Sequence, residues 1–135
     1  MNVLIVGGVA AGTKVAAKLK REQPDWTVKI LTKGPEIPYA GCGLPYYVGH
    51  VIEERGELVV NTPEAFTGLT GAHVQTGVEV TALDRARKMV TVQDLSTGGV
   101  FTESYDKLVL AVGAHSFVPQ CEGVDLENVF FLRTP

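Results

Sequence analysis

The chain has 135 residues, of which 45% are hydrophobic and 20% are charged, a balance typical of one soluble globular domain. The formal net charge of -3 gives no basic field that would favour nucleic acid or an anionic membrane as a partner. No apolar run reaches the ~18 residues that a membrane-spanning helix needs, so no membrane span is expected.

The first thirty residues carry strand, helix and strand signals in turn. The β-branched run from Asn2 to Val6 predicts a buried parallel strand that starts without the basic region of a signal peptide. A tight turn over residues 7–12 leads into a predicted amphipathic helix from Thr13 to about Glu22. Trp26 to Leu31 predicts the second strand, so the two strands should be parallel neighbours.

The rest of the chain predicts further strands separated by short helices. A short helix opens at Gly41–Tyr47, and Thr62 should cap another that begins at Pro63. Predicted strands cover Ala72–Thr76, the three members of an antiparallel meander (Val78–Leu83, Met89–Gln93 and Phe101–Tyr105), Leu108–Val112 and Val129–Leu132. The predicted fold class is therefore α/β, a Rossmann-like parallel sheet with helices and a small three-stranded antiparallel β-meander.

The turn after the first strand predicts a dinucleotide site. Its residues are Gly7, Gly8, Val9, Ala10, Ala11 and Gly12, with glycine at the first and third positions of a glycine-rich loop and Val9 at the second. Such a loop lets a pyrophosphate approach the backbone, and the following helix provides free N–H groups and the positive end of its dipole. The alternative is a tight structural turn in another kind of α/β protein.

The end of the second strand should bind the adenosine half of such a ligand. The acidic residue that usually grips the ribose is replaced by Thr32, whose hydroxyl bonds less strongly than a carboxylate. Lys33 follows, either near a phosphate or adenine edge or as a solvated loop lysine.

The segment from Tyr39 to Tyr47, Tyr-Ala-Gly-Cys-Gly-Leu-Pro-Tyr-Tyr, resembles the active-site stretch of the pyridine nucleotide-disulfide oxidoreductases in their single-cysteine branch. That branch contains CoA-disulfide reductases, CoA-persulfide reductases, NADH oxidases and NADH peroxidases. The resemblance covers essentially the whole chain, including Thr62–Phe66, Ser104–Leu108 and Leu132–Pro135. It implies that residues 1–135 are the N-terminal part of an FAD-binding domain.

Cys42 is the predicted redox nucleophile. A thiolate at a helix N-terminus is stabilised by the dipole, and the flanking glycines leave room for a flavin and a thiol substrate. Tyr47 stands where two-cysteine relatives have their second cysteine, so the resemblance implies a mixed disulfide, a persulfide or a sulfenic acid on Cys42. The alternative is a merely buried cysteine. With only two cysteines, a reducing cytoplasm is the expected compartment.

Two features bear on the substrate. Family oxidases and peroxidases carry a histidine where this chain has Ala10, which favours a thiol substrate over peroxide or oxygen. Lys14, Lys18 and Arg21 have the spacing of one cationic helix stripe. In CoA-disulfide reductases the CoA nucleotide lies along this helix, so the stripe should contact CoA phosphates unless it is only a solvated face.

The resemblance also assigns quieter positions. Val80 matches a residue whose backbone meets the adenine of FAD, and Arg133 matches a basic residue near the flavin. Ala111, Val112 and Gly113 match a strand end that packs against the cofactor. Cys121 is interpreted as structural, and the three histidines show no metal-ligand spacing.

For the whole protein the resemblance implies FAD and NAD(P)H as cofactors, a small disulfide or persulfide as substrate, and a homodimer. The NAD(P)H-binding and dimerisation domains are not in these residues, so the chain is expected to be a fragment. Two alternatives remain open: an NADH oxidase or peroxidase of the same family, and an isolated non-catalytic nucleotide-binding module.

Overall fold

The computed structural model describes residues 1 to 135 and contains seven strands and three α-helices. In chain order they are β1 (Asn2–Val6), α1 (Ala11–Glu22), β2 (Thr27–Leu31), α2 (Leu44–Val48), α3 (Pro63–Thr70), β3 (His73–Gln75), β4 (Val78–Asp84), β5 (Met89–Asp94), β6 (Val100–Ser104) and β7 (Lys107–Leu110). Short 3₁₀-helices span Gly41–Gly43 and Arg55–Leu58.

The central layer is a four-stranded parallel sheet in the order β3-β2-β1-β7. Because side chains alternate along a strand, β1 buries residues on both faces. Val3 and Ile5 join the cluster that contains Ala16 of α1 and Phe66 of α3, whereas Leu4 joins the cluster under the meander. The sheet therefore lies between a helical layer and an antiparallel layer.

The antiparallel layer is the meander β4-β5-β6. Val78, Val90 and Val92 pack with Leu4 and Leu31 of the parallel sheet to form its core. An ion pair of 2.5 Å between Lys29 of β2 and Glu103 of β6 adds a polar link between the two sheets. The predicted fold class is confirmed.

Most element boundaries agree with the sequence-based expectation. The Thr62 hydroxyl oxygen accepts a hydrogen bond from the Ala65 N–H at 3.1 Å, so the predicted cap of α3 is confirmed. Helix α1 begins two residues earlier than predicted, at Ala11, and β7 ends at Leu110 rather than at Val112. No helix of the chain has the length and apolar character required to cross a membrane.

The prediction of a strand over Val129–Leu132 is wrong. These residues have no regular secondary structure, and Phe130 is 86% exposed. An apolar run becomes a strand only where a neighbouring strand accepts and donates its backbone hydrogen bonds. The one backbone bond recorded here runs from the Val129 N–H to the Leu126 carbonyl oxygen and closes a local turn.

Candidate functional site

The glycine loop lies at the carboxyl end of β1, where it is held by both neighbouring strands. Gly7 has φ of +106°, and its N–H donates to the Leu31 carbonyl oxygen at 2.8 Å. A Cβ on Gly7 would overlap the Ala111 carbonyl oxygen, and a Cβ on Gly12 would overlap the Gly7 carbonyl oxygen. The sequence requirement for glycine at these two positions therefore has a steric origin.

The first turn of α1 is open to a ligand. Its N-cap residue, Ala10, has no side-chain hydrogen bond to the helix, and Ala10 and Ala11 are exposed. The Thr13 hydroxyl donates to the carbonyl oxygens of Val9 and Ala10, at 2.5 and 3.2 Å. It therefore does not serve as a cap for the first N–H groups of the helix. Uncapped N–H groups at the positive end of a helix dipole fit the pyrophosphate of a dinucleotide.

The carboxyl end of β2 forms one flank of the loop. Thr32 is buried, and its Cβ and Cγ2 lie 3.1 Å from the position that a Cβ on Gly8 would take. Lys33 is exposed and forms an ion pair of 3.0 Å with Glu79 of β4. Val80, the next residue, packs against the core beneath the meander. The sequence analysis did not identify Glu79 as a site residue, because its contact with Lys33 becomes visible only in the folded chain.

The carboxyl end of β7 forms the other flank. The Ala111 N–H donates to the Val6 carbonyl oxygen at 2.8 Å, which continues the sheet pairing beyond the strand. Val112 is 70% exposed, and Gly113 has φ of +73°. The Arg133 Nε donates to the Ala114 carbonyl oxygen at 3.1 Å, so this distant arginine lies beside the same strand end.

Cys42 is a free, exposed cysteine within the 3₁₀-helix that precedes α2. A Cβ on the buried Gly43 would lie 2.8 Å from Cδ2 of Leu58, which is fully buried beneath this turn. The Ala40 N–H donates to the Leu58 carbonyl oxygen at 2.7 Å. The thiol is therefore presented to solvent by a backbone that is packed from below, and the alternative of a buried cysteine is wrong.

The segment that carries Cys42 starts beside the glycine loop. Ile37 is fully buried, and its Cγ2 lies 2.7 Å from the position of a Cβ on Gly8. Cys42 follows Ile37 by five residues, and a fully extended chain of that length spans about 18 Å, so the Cα atoms of the two residues are no further apart than that. An ion pair of 2.7 Å between Glu36 and Arg55 joins the two ends of the segment, which thus spans residues 36–55. The sequence analysis missed this pair, because nothing in the spacing of the two residues marks them as neighbours.

The cationic stripe on α1 is exposed but not free of acidic partners. Lys18 pairs with Glu22 at 2.6 Å. The hydrogen bond from Lys18, together with its positive charge, lowers the pKa of Glu22 below its ordinary value. The i, i+4 spacing of Lys18 and Glu22 could have revealed this pair from the sequence. Lys14 and Arg21 form no ion pair, so they are the stripe's available cations.

Cys121 is exposed and lines an open cleft of about 570 Å³ together with six other residues from Val118 to Asp125. No three His, Cys, Asp or Glu side chains come together in a group that could hold a metal ion.

Comparison with known proteins supplies the family. The pyridine nucleotide-disulphide oxidoreductase family matches residues 1–135. Among curated relatives, an NADH oxidase of Methanocaldococcus jannaschii is 33% identical over 99% of this chain and 30% of its own length. A coenzyme A disulfide reductase of Staphylococcus aureus is 38% identical over 98% of this chain, again 30% of its own length. The chain thus spans less than a third of these relatives.

Solved structures agree with this result. The NAD-dependent persulfide reductase from A. fulgidus superposes with a TM-score of 0.90 at 35% identity, covering 99% of this chain and 25% of the other. The water-forming NADH oxidase from Lactobacillus brevis, solved bound to NADH, gives a TM-score of 0.88 at 34% identity over 99% of this chain and 30% of its own. FAD and NAD(P)H are the cofactors that these matches imply. The chain belongs to the pyridine nucleotide-disulphide oxidoreductase family.

Proposed function

We propose that residues 1–135 are the FAD-binding portion of an NAD(P)H-dependent flavoprotein disulfide reductase with Cys42 as its redox nucleophile. The observation that supports this proposal most is the exposed thiol of Cys42, which lies on a packed turn. This turn belongs to the segment that starts at the contact of Ile37 with the glycine loop. The proposed substrate is CoA disulfide, CoA persulfide or a related low-molecular-weight thiol. Relatives named as coenzyme A disulfide reductases and a persulfide reductase support this substrate class.

Three groups of residues would hold the FAD. The uncapped first turn of α1 and the glycine loop (Gly7, Gly8, Val9, Ala10, Ala11 and Gly12) would face its pyrophosphate. The adenosine side would be bordered by Thr32, Lys33 and Val80, and the flavin side by Ala111, Val112, Gly113 and Arg133. The flavin, when bound, supplies the two electrons that NAD(P)H delivers.

The sulfur chemistry at Cys42 is a thiol–disulfide exchange. The Cys42 thiolate attacks one sulfur of the substrate disulfide, a new S–S bond forms to Cys42, and the other half leaves as a thiolate. Two electrons and one proton then cleave this mixed disulfide, which restores the Cys42 thiolate and releases the second thiol. Tyr47 stands where the family resemblance places a second cysteine in two-cysteine relatives, so no thiol at this position resolves the mixed disulfide, and the two electrons go to the mixed disulfide itself.

The positive charges of Lys14 and Arg21 are placed to attract the phosphates of a CoA-containing substrate. Lys18 would join them only after releasing Glu22. A homodimer of the full-length protein, inferred from the family resemblance, belongs to the same proposal.

An NADH oxidase or peroxidase is the second candidate. The relative from M. jannaschii and the structure from L. brevis both carry the name NADH oxidase, which favours it. Ala10 disfavours it, because the family resemblance places a histidine at this position in oxidases and peroxidases, and a methyl group cannot transfer a proton.

The test combines two measurements on the purified chain. Titration with FAD, followed by flavin absorbance and fluorescence, should show saturable uptake. Incubation with CoA disulfide should add one CoA to Cys42, detected by peptide mass spectrometry, and Cys42→Ser should abolish this adduct. Cys121→Ser is the matched control, since its thiol is equally free and exposed.

The outcomes separate the candidates. An equal adduct on both cysteines would show simple surface thiol reactivity and refute the assigned role. Preferential formation of a sulfenic acid at Cys42 with hydrogen peroxide, and no CoA adduct, would favour the oxidase or peroxidase. A chain that takes up no FAD would leave the non-catalytic module as the better description.

A further inference from the structure

The adenosine side of the glycine loop lacks a carboxylate at the end of β2. In dinucleotide-binding βαβ units an acidic side chain near this point accepts a hydrogen bond from the ribose. Thr32 occupies the position here and is only 7% exposed. Its Cβ and Cγ2 lie 3.1 Å from the position of a Cβ on Gly8, so the methyl side of Thr32 packs against the loop, and its hydroxyl is a weaker acceptor than a carboxylate.

A carboxylate reaches the same edge from the neighbouring strand. The Val78 N–H donates to the Thr32 carbonyl oxygen at 3.2 Å, which fixes the start of β4 against the end of β2. Val78 and Val80 pack into the core below the meander, and Glu79 between them therefore points away from that core. The Lys33 Nζ lies 3.0 Å from both carboxylate oxygens of Glu79.

Stability does not account for this ion pair. The side chains of Lys33 and Glu79 are 66% and 41% exposed, and pairs with this exposure add little to the free energy of folding. A carboxylate has about four lone-pair positions, so two contacts with one ammonium leave acceptor capacity in reach of solvent. The pair places a negatively charged acceptor beside the end of β2.

We infer that Glu79 is the ribose acceptor of the bound dinucleotide and that Lys33 is its positioning residue, an assignment that rests on the proposed FAD site. The 2′- and 3′-hydroxyls of the adenosine ribose donate to the Glu79 carboxylate. The acid that β2 lacks is thus supplied by β4, and Lys33 limits the orientations of its side chain.

The experiment compares two nucleotides that differ only in the ribose hydroxyls. The chain is titrated calorimetrically with ADP and with 2′,3′-dideoxy-ADP, and competition with FAD restricts both measurements to the dinucleotide site. The unmodified chain should bind ADP at least about tenfold more tightly, because even one of the two charge-assisted hydrogen bonds is worth that ratio. Glu79→Ala should bring the ratio close to one, and Lys33→Met should narrow it.

The control is Glu103→Ala, which removes the other Lys–Glu pair between the same two sheets. It should leave the ratio of the two affinities as it is in the unmodified chain. An unchanged ratio in Glu79→Ala, with FAD still bound, would overturn the ribose assignment alone. Failure of the unmodified chain to bind FAD and ADP would overturn the proposed function, and the ribose assignment with it.

Discussion

At the residue scale, the contact between Gly12 and Gly7 decides whether the loop can exist. The first turn of α1 crosses so close to the Gly7 carbonyl that a side chain on Gly12 has no place. This close crossing is what brings the uncapped N–H groups to the end of β1. Steric exclusion at a backbone atom is more severe than contact with the end of a flexible side chain, and the Gly7 backbone is held in place by its hydrogen bond to the Leu31 carbonyl oxygen.

We therefore predict that Gly12→Ala lowers the free energy of unfolding by at least about 2 kcal/mol and abolishes FAD uptake. Gly68→Ala is the matched control, because Gly68 lies in α3 with no atom within 4 Å of an added Cβ. It should raise stability by about 1 kcal/mol, the helix-propensity difference between the two residues. Thermal and urea unfolding measure both changes. Equal effects of the two substitutions would contradict the steric argument.

At the element scale, the turn between β5 and β6 is held by a single carboxylate. Asp94 Oδ1 accepts hydrogen bonds from the Ser96 hydroxyl at 2.6 Å, the Ser96 N–H at 2.9 Å and the Thr97 N–H at 3.0 Å. These bonds, with that of the Ser96 side chain the strongest, lower the pKa of Asp94 from 3.8 to about 2. The turn is thus linked to the charge of one side chain.

The sign of the resulting pH dependence follows from the depressed pKa. Above pH 3.8 the carboxylate is charged in both the folded and unfolded chain, and its full stabilisation is present. As pH falls towards about 2, the unfolded chain binds the proton first, and the contribution is lost. Asp94→Asn should therefore be less stable than the parent near pH 5, with the difference disappearing near pH 2. Chemical unfolding at several pH values tests this; a difference that does not change with pH would contradict it.

The elements also show which sequence signals were sufficient. Period-two alternation predicted the meander correctly, and the Thr62-Pro63 pair predicted the start of α3 correctly. Both signals arise from interactions between residues that are close in the sequence. The run Val129–Leu132 has the same composition as a strand but lacks a partner, and composition cannot report pairing. β7 ends two residues before the predicted Val112 for a related reason. Its partner β1 ends at Val6, and only one further hydrogen bond, from the Ala111 N–H, continues the pairing.

At the scale of the whole molecule, the parallel sheet explains why the site was partly predictable. The glycine loop and Thr32 follow strands whose order in a βαβ unit is nearly fixed, so their proximity could be expected. Glu79 reaches the same edge through its contact with Lys33, and Arg133 reaches it through its contact with Ala114. Such contacts depend on how the meander and the C-terminal residues fold back, which no local pattern in this chain records.

The same architecture leaves a large apolar surface in solvent. β7 is an edge strand of the sheet, and Leu110 near its end is 61% exposed. Further along the chain, Val112, Phe117, Leu126, Phe130, Phe131 and Leu132 are all 49% exposed or more. An unpaired edge strand and exposed aromatic side chains each favour association.

We predict that the chain, at micromolar concentration and above, self-associates and enhances the fluorescence of 8-anilinonaphthalene-1-sulfonate. Phe117→Lys and Phe130→Lys together should weaken both effects, because each places a charge where a bare aromatic ring now meets water. Val51→Lys is the control, since Val51 is 73% exposed but lies on the segment that carries Cys42. Sedimentation velocity across a concentration series measures the association. If Val51→Lys suppressed it as strongly as the double variant, the exposed aromatic side chains of the C-terminal residues would not be its specific cause.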